Sequence, residues 1–200
     1  MISIYKIKPA FQKLLVPVLR MLHKIGFTAN QITISSILLS AIIGVSFWYA
    51  DIAIWLFLTL PIGLLLRMAL NALDGMMART YNQQSKLGEM LNEAGDIISD
   101  LIIYFPLIKY FSGQTYVVIL FLCLSIINEF AGLLGKAMGS ERRYDGPMGK
   151  SDRAFVVSII GILLFFQINI QNYALYGFSI INFLLILSTY KRLTGTLKHD

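Results

Sequence analysis

A chain of 200 residues that is 56% hydrophobic and only 14% charged, with a mean hydropathy of +0.69, lies outside the range of water-soluble domains, which carry about 25% charged residues. The single cysteine, Cys123, excludes a disulfide scaffold, and the hydrophobicity excludes a disordered chain. The net charge of +6 does not call for a nucleic-acid partner, because membrane proteins place lysine and arginine beside their spans. The expected class is all-α, a polytopic membrane protein.

The first 26 residues interleave Lys6, Lys8, Lys13, Arg20 and Lys24 with Phe11, Leu14, Leu15, Val18, Leu19, Leu22 and Ile25. That apolar spacing is helical, so residues 1–26 are expected to form an amphipathic helix lying in the membrane interface. No uninterrupted apolar run precedes a small-residue cleavage site, so a signal peptide is not expected. A hydrocarbon core about 30 Å thick takes roughly 20 apolar residues of helix. Six segments qualify, near 31–50, 52–73, 91–111, 115–138, 152–170 and 172–192. With no linker or repeat visible, residues 1–200 are expected to form a single membrane domain, its six-helix bundle spanning 31–192.

Lysine and arginine set the orientation. If the N-terminus is cytoplasmic and six helices alternate, 15 of the 17 basic residues fall on the inside, with Lys109 outside and Arg67 within the second span. Both termini are therefore expected in the cytoplasm of a bacterial-type inner or plasma membrane.

Polar residues inside such a bundle are costly unless they pair, bind an ion or line a wet cavity. Asp74, Glu89, Glu93, Asp96 and Asp100 fall in one stretch of 27 residues. Asn92, Glu93, Asp96 and Asp100 lie within about a 100° arc of one helix face, and Asn71 and Asp74 share a face of the preceding helix. The helix dipole accounts for acids in a first turn, but Asp96 and Asp100 continue into an apolar run. Converging carboxylates without histidine or cysteine suit a hard cation, Mg²⁺ or Mn²⁺. Gly75, Ala78 and Gly88 permit close backbone approach, and Arg79 beside such a site suits a phosphate.

The stretch Asn71-Ala-Leu-Asp74-Gly75-Met-Met-Ala78-Arg79, eight residues, Gly88-Glu-Met-Leu-Asn92-Glu-Ala-Gly-Asp96 resembles the signature of the CDP-alcohol phosphatidyltransferase family. The spacing agrees throughout and six of eight signature positions agree in identity, the departures being Asn71 and Asn92 where the signature has aspartate. Thr28-Ala29-Asn30-Gln31-Ile32-Thr33 is similar to the stretch that precedes the family's first span. The resemblance implies an enzyme that displaces CMP from CDP-diacylglycerol by the hydroxyl of a small alcohol, in phospholipid synthesis, probing the cytosol from the membrane face. It implies metal ligation by Asp74 and Asp96, with Asp96 also the base, and Arg79 assisting at the phosphates. Gly75, Ala78 and Gly88 would pack on the nucleotide, with Asn30 and Thr33 on the same side. It also implies a homodimer embedded in membrane lipid. An amide oxygen ligates without charge, so Asn71 and Asn92 halve the signature's four carboxylates. Asp100, with Glu93, is expected to restore charge, or a single metal ion suffices.

A second polar island, Glu141 to Arg153, joins the fourth and fifth expected spans. Positive-inside charge, a turn at Gly146-Pro147 and an N-cap at Ser151 or Asp152 explain much of it. The alternative is an anion cradle of Arg142, Arg143, Lys150 and Arg153 beside a helix start. Such a cradle would favour a phosphorylated acceptor, glycerol 3-phosphate or inositol phosphate. Glu129, with Asn128, either lines the cavity or pairs with Arg67. The rival readings are a catalytically impaired relative and a small membrane protein that binds or transports cations.

Overall fold

The structure is a computed structural model that describes residues 8–197. Lys6 and the other residues at the start of the expected 1–26 helix, and Lys198 and His199, lie outside the described residues. Every regular element among the described residues is helical. Four segments, Ala29–Trp48, Ile54–Thr80, Ser112–Ala137 and Gln171–Leu197, are long and apolar enough to cross a membrane. Their surface polarity is inverted relative to a soluble protein. Ile34, Leu38, Ile42 and Val45 are exposed along one helix, while Arg67, Asp74, Asp100, Glu129, Arg153 and Arg192 are buried. A hydrocarbon solvent selects that arrangement, and the chain is a membrane protein.

Contacts divide the chain into two compact units, the first ending at Ile103 and the second starting at Tyr104. In the first, α1 (Lys8–Lys24) buries Leu19 against Leu73 and Met77 of α3 and against Ala29 and Ile32 of α2, with Leu15 and Leu22 packed at the margin. The His23 ring stacks on Tyr81 at 3.5 Å. Helix α2 (Ala29–Trp48) starts at a capping box, the Gln31 amide N–H donating to Thr28 Oγ1 and the Thr28 amide N–H to Gln31 Oε1. Its buried Ser40 hydroxyl also donates to the Ser36 carbonyl one turn back, which satisfies it away from water.

Helix α3 (Thr59–Thr80) runs antiparallel to α2, since Ile43 meets Gly63 while Thr33 meets Asp74. It extends past the expected end at 73 and carries the whole Asp74–Arg79 stretch. Helix α4 (Lys86–Tyr104) runs parallel to α2. Asn30, Ile37 and Gly44 meet Gly88, Gly95 and Ile102 in turn, seven residues apart on each helix, with a glycine in every contact. That repeat keeps one seam of each helix facing the other. The expected 91–111 segment is interrupted. Pro106 disfavours helix at the residue before it, so α4 stops at Tyr104 and a short α5 (Leu107–Tyr110) follows.

In the second unit α6 (Thr115–Ala137) and α8 (Gln171–Leu197) run parallel. Asn182 donates to the Val117 carbonyl near one end and Asn128 to Thr189 Oγ1 near the other. Between them in sequence, α7 (Lys150–Phe165) is shorter than the expected 152–170 segment, ending before Gln167, whose φ is +55°. Its N-cap is Gly149 rather than the expected Ser151 or Asp152; Asp152 sits at the third helical position and accepts from the Gly149 amide at 3.1 Å.

The loop before α7 crosses α8 at Gly146, where φ is +92° and an added Cβ would lie 2.5 Å from the Ser188 Cα. Backbone cannot yield as a flexible side chain can. Gly146→Ala is expected to destabilise the protein by about 2–4 kcal/mol, strain and overlap together. Gly139→Ala, at φ +88° with open space around it, should cost only about 1 kcal/mol of strain. Thermal unfolding in lipid nanodiscs measures both, and equal shifts would refute the backbone-overlap account.

Candidate functional site

The carboxylate cluster is built by three helices of the first unit. Thr33 and Ser36 lie one turn apart on α2, and Asn71 and Asp74 one turn apart on α3. Thr33 Oγ1 donates to Asp74 Oδ2 at 3.0 Å, and Ser36 Oγ donates to Asn71 Oδ1 at 2.6 Å. Asn71 Nδ2 then donates to Asp96 Oδ1 of α4 at 3.0 Å. The Gly75 amide turns back onto Asp74 Oδ1. The Asn71–Asp96 bond joins α3 to α4, and Asp74, one turn further along α3, is tied to α2 through Thr33.

Arg67, two turns before Asp74, enters the same cluster. Nη1 donates to Asp100 Oδ1 at 2.6 Å, and Nη2 lies 3.2 Å from the Asp96 carbonyl oxygen and 3.6 Å from Asp96 Oδ1. Arg67 and Asp100 are both buried. Asp100 thus faces a guanidinium. The sequence placed Arg67 within a span and offered Glu129 as a partner, yet 67, 71 and 74 share a helical face, and its acidic partners here are Asp100 and Asp96.

The residues expected on the nucleotide side adjoin this cluster. The Arg79 guanidinium lies over Gly75, with Nη1 3.1 Å from where a Cβ would stand. A Cβ at Gly88 would lie 2.6 Å from Asn30 Oδ1, and the Gly88 amide donates to Ser85 Oγ at 3.0 Å. Ala78 is half-buried on α3, while Asn92 and Glu93 are half-buried on α4. Among the described residues, no group of three or more His, Cys, Asp or Glu is arranged to hold a metal ion. Asp74 and Asp96 offer two hard carboxylates, and Mg²⁺ commonly takes one or two carboxylates, keeping its other positions for water and substrate phosphate. The donor set fits such an ion.

The basic island belongs to the second unit and is organised by Glu129. Arg142 Nη2 donates to Glu129 Oε2 and Arg153 Nη2 to Glu129 Oε1, both at 2.9 Å, and Arg192 Nη1 lies 3.7 Å from Oε1. Glu129 is 5% exposed and Arg153 fully buried. Arg192 also donates to the Asn128 carbonyl at 2.6 Å. Arg143 instead pairs with Asp145 at 2.8 Å near the surface, and Lys150 is half-buried at the start of α7. Glu129 is thus an arginine hub, resolving the choice left open for it, and Arg67 takes Asp100 and Asp96. Arg192 was counted only as a positive-inside charge; its burial is visible once Ser188, Arg192 and Thr196 are seen to share one inward face of α8.

Comparison with known proteins agrees with the geometry. A family model for CDP-alcohol phosphatidyltransferase matches residues 27–189. The inner membrane protein YnbA of Escherichia coli (strain K12) is 48% identical over 160 residues, 80% of this chain and 79% of that protein. An archaetidylinositol phosphate synthase of Aeropyrum pernix is 31% identical over 128 residues, 62% of this chain and 63% of that protein. The phosphatidylinositol phosphate synthase PgsA1 of Mycobacterium tuberculosis has a similar fold. Its crystal structure with CDP-DAG bound gives a TM-score of 0.74 at 18% identity, covering 92% of this chain and 94% of that one. Its complex with manganese and citrate also gives 0.74 at 18% identity, covering 90% and 88%. With the family model spanning most of its length, the chain belongs to the divalent-metal-dependent CDP-alcohol phosphatidyltransferase family, membrane enzymes of phosphatidyl transfer in phospholipid synthesis.

Proposed function

We propose that this enzyme transfers the phosphatidyl group of CDP-diacylglycerol to a hydroxyl of a small phosphorylated alcohol, such as glycerol 3-phosphate or inositol phosphate, and releases CMP. The observation that carries this reading is the hydrogen bond from Asn71 to Asp96, which brings signature positions of α3 and α4 together, with Asp74 one turn further along α3. The acceptor oxygen bonds to the phosphorus that carries diacylglycerol, the bond from that phosphorus to the bridging oxygen breaks, and the bridging oxygen leaves with CMP. Asp96 takes the acceptor's proton. Its Oδ1 is already fixed by Asn71, which aims the carboxylate without protonating it. Arg79, exposed at the end of α3, contacts the phosphates, and Gly75, Ala78, Gly88, Asn30 and Thr33 form the nucleotide's side of the site. Mg²⁺ or Mn²⁺, held by Asp74 and Asp96 with Asn71, Asn92 and Asp100 around it, would offset charge building on the departing phosphate.

The acceptor's phosphate is assigned to the island of Arg142, Arg143, Lys150 and Arg153. Three arginines converge on the single carboxylate of Glu129, which concentrates positive charge in this unit, and a guanidinium's planar fork suits a phosphate. Residues 1–200 are read as a single membrane domain. Six helices span the membrane, with α4 and α7 the shorter two, and α1 lies at the interface. Both termini and the site face the cytoplasm of a bacterial-type inner membrane, the protein works as a homodimer, and nucleic acid has no part.

The test is CMP release from CDP-diacylglycerol by purified enzyme in nanodiscs, with Mg²⁺ or Mn²⁺, across a panel of alcohols. Release is expected only with phosphorylated acceptors; release with serine or choline alone would overturn the acceptor assignment. Arg143→Gln, the most accessible arginine of the island, is expected to raise the acceptor's KM about tenfold, the value of one charge-assisted hydrogen bond. The KM for CDP-diacylglycerol should not change, and an unmoved acceptor KM would leave Arg143 a purely topological charge.

A further inference from the structure

We infer that Arg67 is a built-in cation of the carboxylate cluster, so that this enzyme's centre takes one divalent ion, not two. The inference rests on the metal-ion reading above and adds its stoichiometry. Arg67 stands on the same face of α3 as Asn71 and Asp74, and its guanidinium is 2% exposed. It holds Asp100 through Nη1 at 2.6 Å and reaches the main chain and side chain of Asp96 through Nη2. Asp100 is therefore already neutralised by a group that cannot lose its proton. It does not replace the carboxylates missing at 71 and 92.

Asn71 is occupied as well. Its carbonyl oxygen accepts from Ser36 and its amide nitrogen donates to Asp96 Oδ1. A carboxylate can only accept, so the amide must present nitrogen to Asp96 and turn its oxygen toward Ser36. Asn71 is a clamp on Asp96, and Arg67 is a second positioning residue for the same carboxylate. Two of the four signature carboxylates are amides here, and Arg67 already holds the aspartate one turn beyond Asp96. A second dication would have to settle beside a buried guanidinium, which repels it.

Mn²⁺ alone is the probe, with the full chain in zwitterionic nanodiscs, read by equilibrium dialysis and by electron paramagnetic resonance. Binding to an Asp74→Asn/Asp96→Asn variant is subtracted to remove sites elsewhere. Wild type is expected to bind one Mn²⁺ per chain with the six-line spectrum of an isolated ion. Arg67→Gln combined with Asn71→Asp is expected to bind two, with lines broadened by coupling between neighbouring ions, and Arg67→Lys to keep one. Two coupled ions in wild type would overturn the inference while leaving the metal reading intact. So would a single ion in an Arg67→Gln/Asn71→Asp variant that still binds Mn²⁺. No Mn²⁺ above the subtracted background in wild type would overturn the metal reading itself, and this inference with it.

Discussion

Asp96→Asn is expected to lower the rate of CMP release by about 10³-fold while leaving the protein folded. Two losses combine. General-base catalysis by a positioned carboxylate is worth about 10²–10⁴-fold, and the same substitution removes one of two charged ligands that Mg²⁺ or Mn²⁺ would use. The fold should survive because the amide is isosteric, and its oxygen still accepts from Asn71 Nδ2, which now lies 3.0 Å from Oδ1. Asp74→Asn should be as damaging through ligation alone, since Thr33 can donate to the amide oxygen as it does to the acid. Steady-state CMP release with saturating CDP-diacylglycerol, alongside thermal unfolding of each variant, checks both. A variant of Asp96 that keeps a tenth of the wild-type rate would remove it from the chemistry.

Glu129→Ala is expected to be the most destabilising single change in the second unit, by about 3–5 kcal/mol. The magnitude follows from what is left behind. Arg153 is fully buried and Arg192 is 2% exposed, so deleting the carboxylate strands like charges that have lost their common counter-ion. An exposed pair behaves differently. Asp145 is 43% exposed in its pair with Arg143, and Asp145→Asn should cost no more than about 1 kcal/mol. Thermal unfolding in nanodiscs separates the two. A Glu129→Ala shift as small as that of Asp145→Asn would mean that water or lipid headgroups already compensate the arginines. Sulfate is expected to restore part of the lost stability, since an anion can enter the space between three guanidinium groups.

The two clusters differ in how much the sequence disclosed of them. Asp74, Asn71 and Asp96 were readable because helical periodicity fixes which residues share a face, and the gapped spacing of the stretch repeated a known signature. Glycine at 88 likewise implied close approach, and its contact with Asn30 on α2 accords with that. Arg67 and Asp100 were each visible as costly polar residues in apolar runs, but their pairing was not. Which acid meets which base depends on the register of α3 against α4, and register is set by packing across the seam rather than by either helix alone. The same limit hid the partner set of Glu129, whose three arginines come from the loop before α7, from α7 and from α8.

Composition, hydropathy and helical period by themselves determined that this is a helical membrane protein, and the gapped motif carried the family resemblance, because those properties are local along the chain. The tertiary structure alone decided where α4 and α7 end, that Asn71 holds Asp96, and that Arg67 and Glu129 anchor opposite kinds of charge cluster. Those outcomes depend on side chains distant in sequence competing for the same buried partners, where an unpaired charge is too costly to leave and the nearest counter-charge wins.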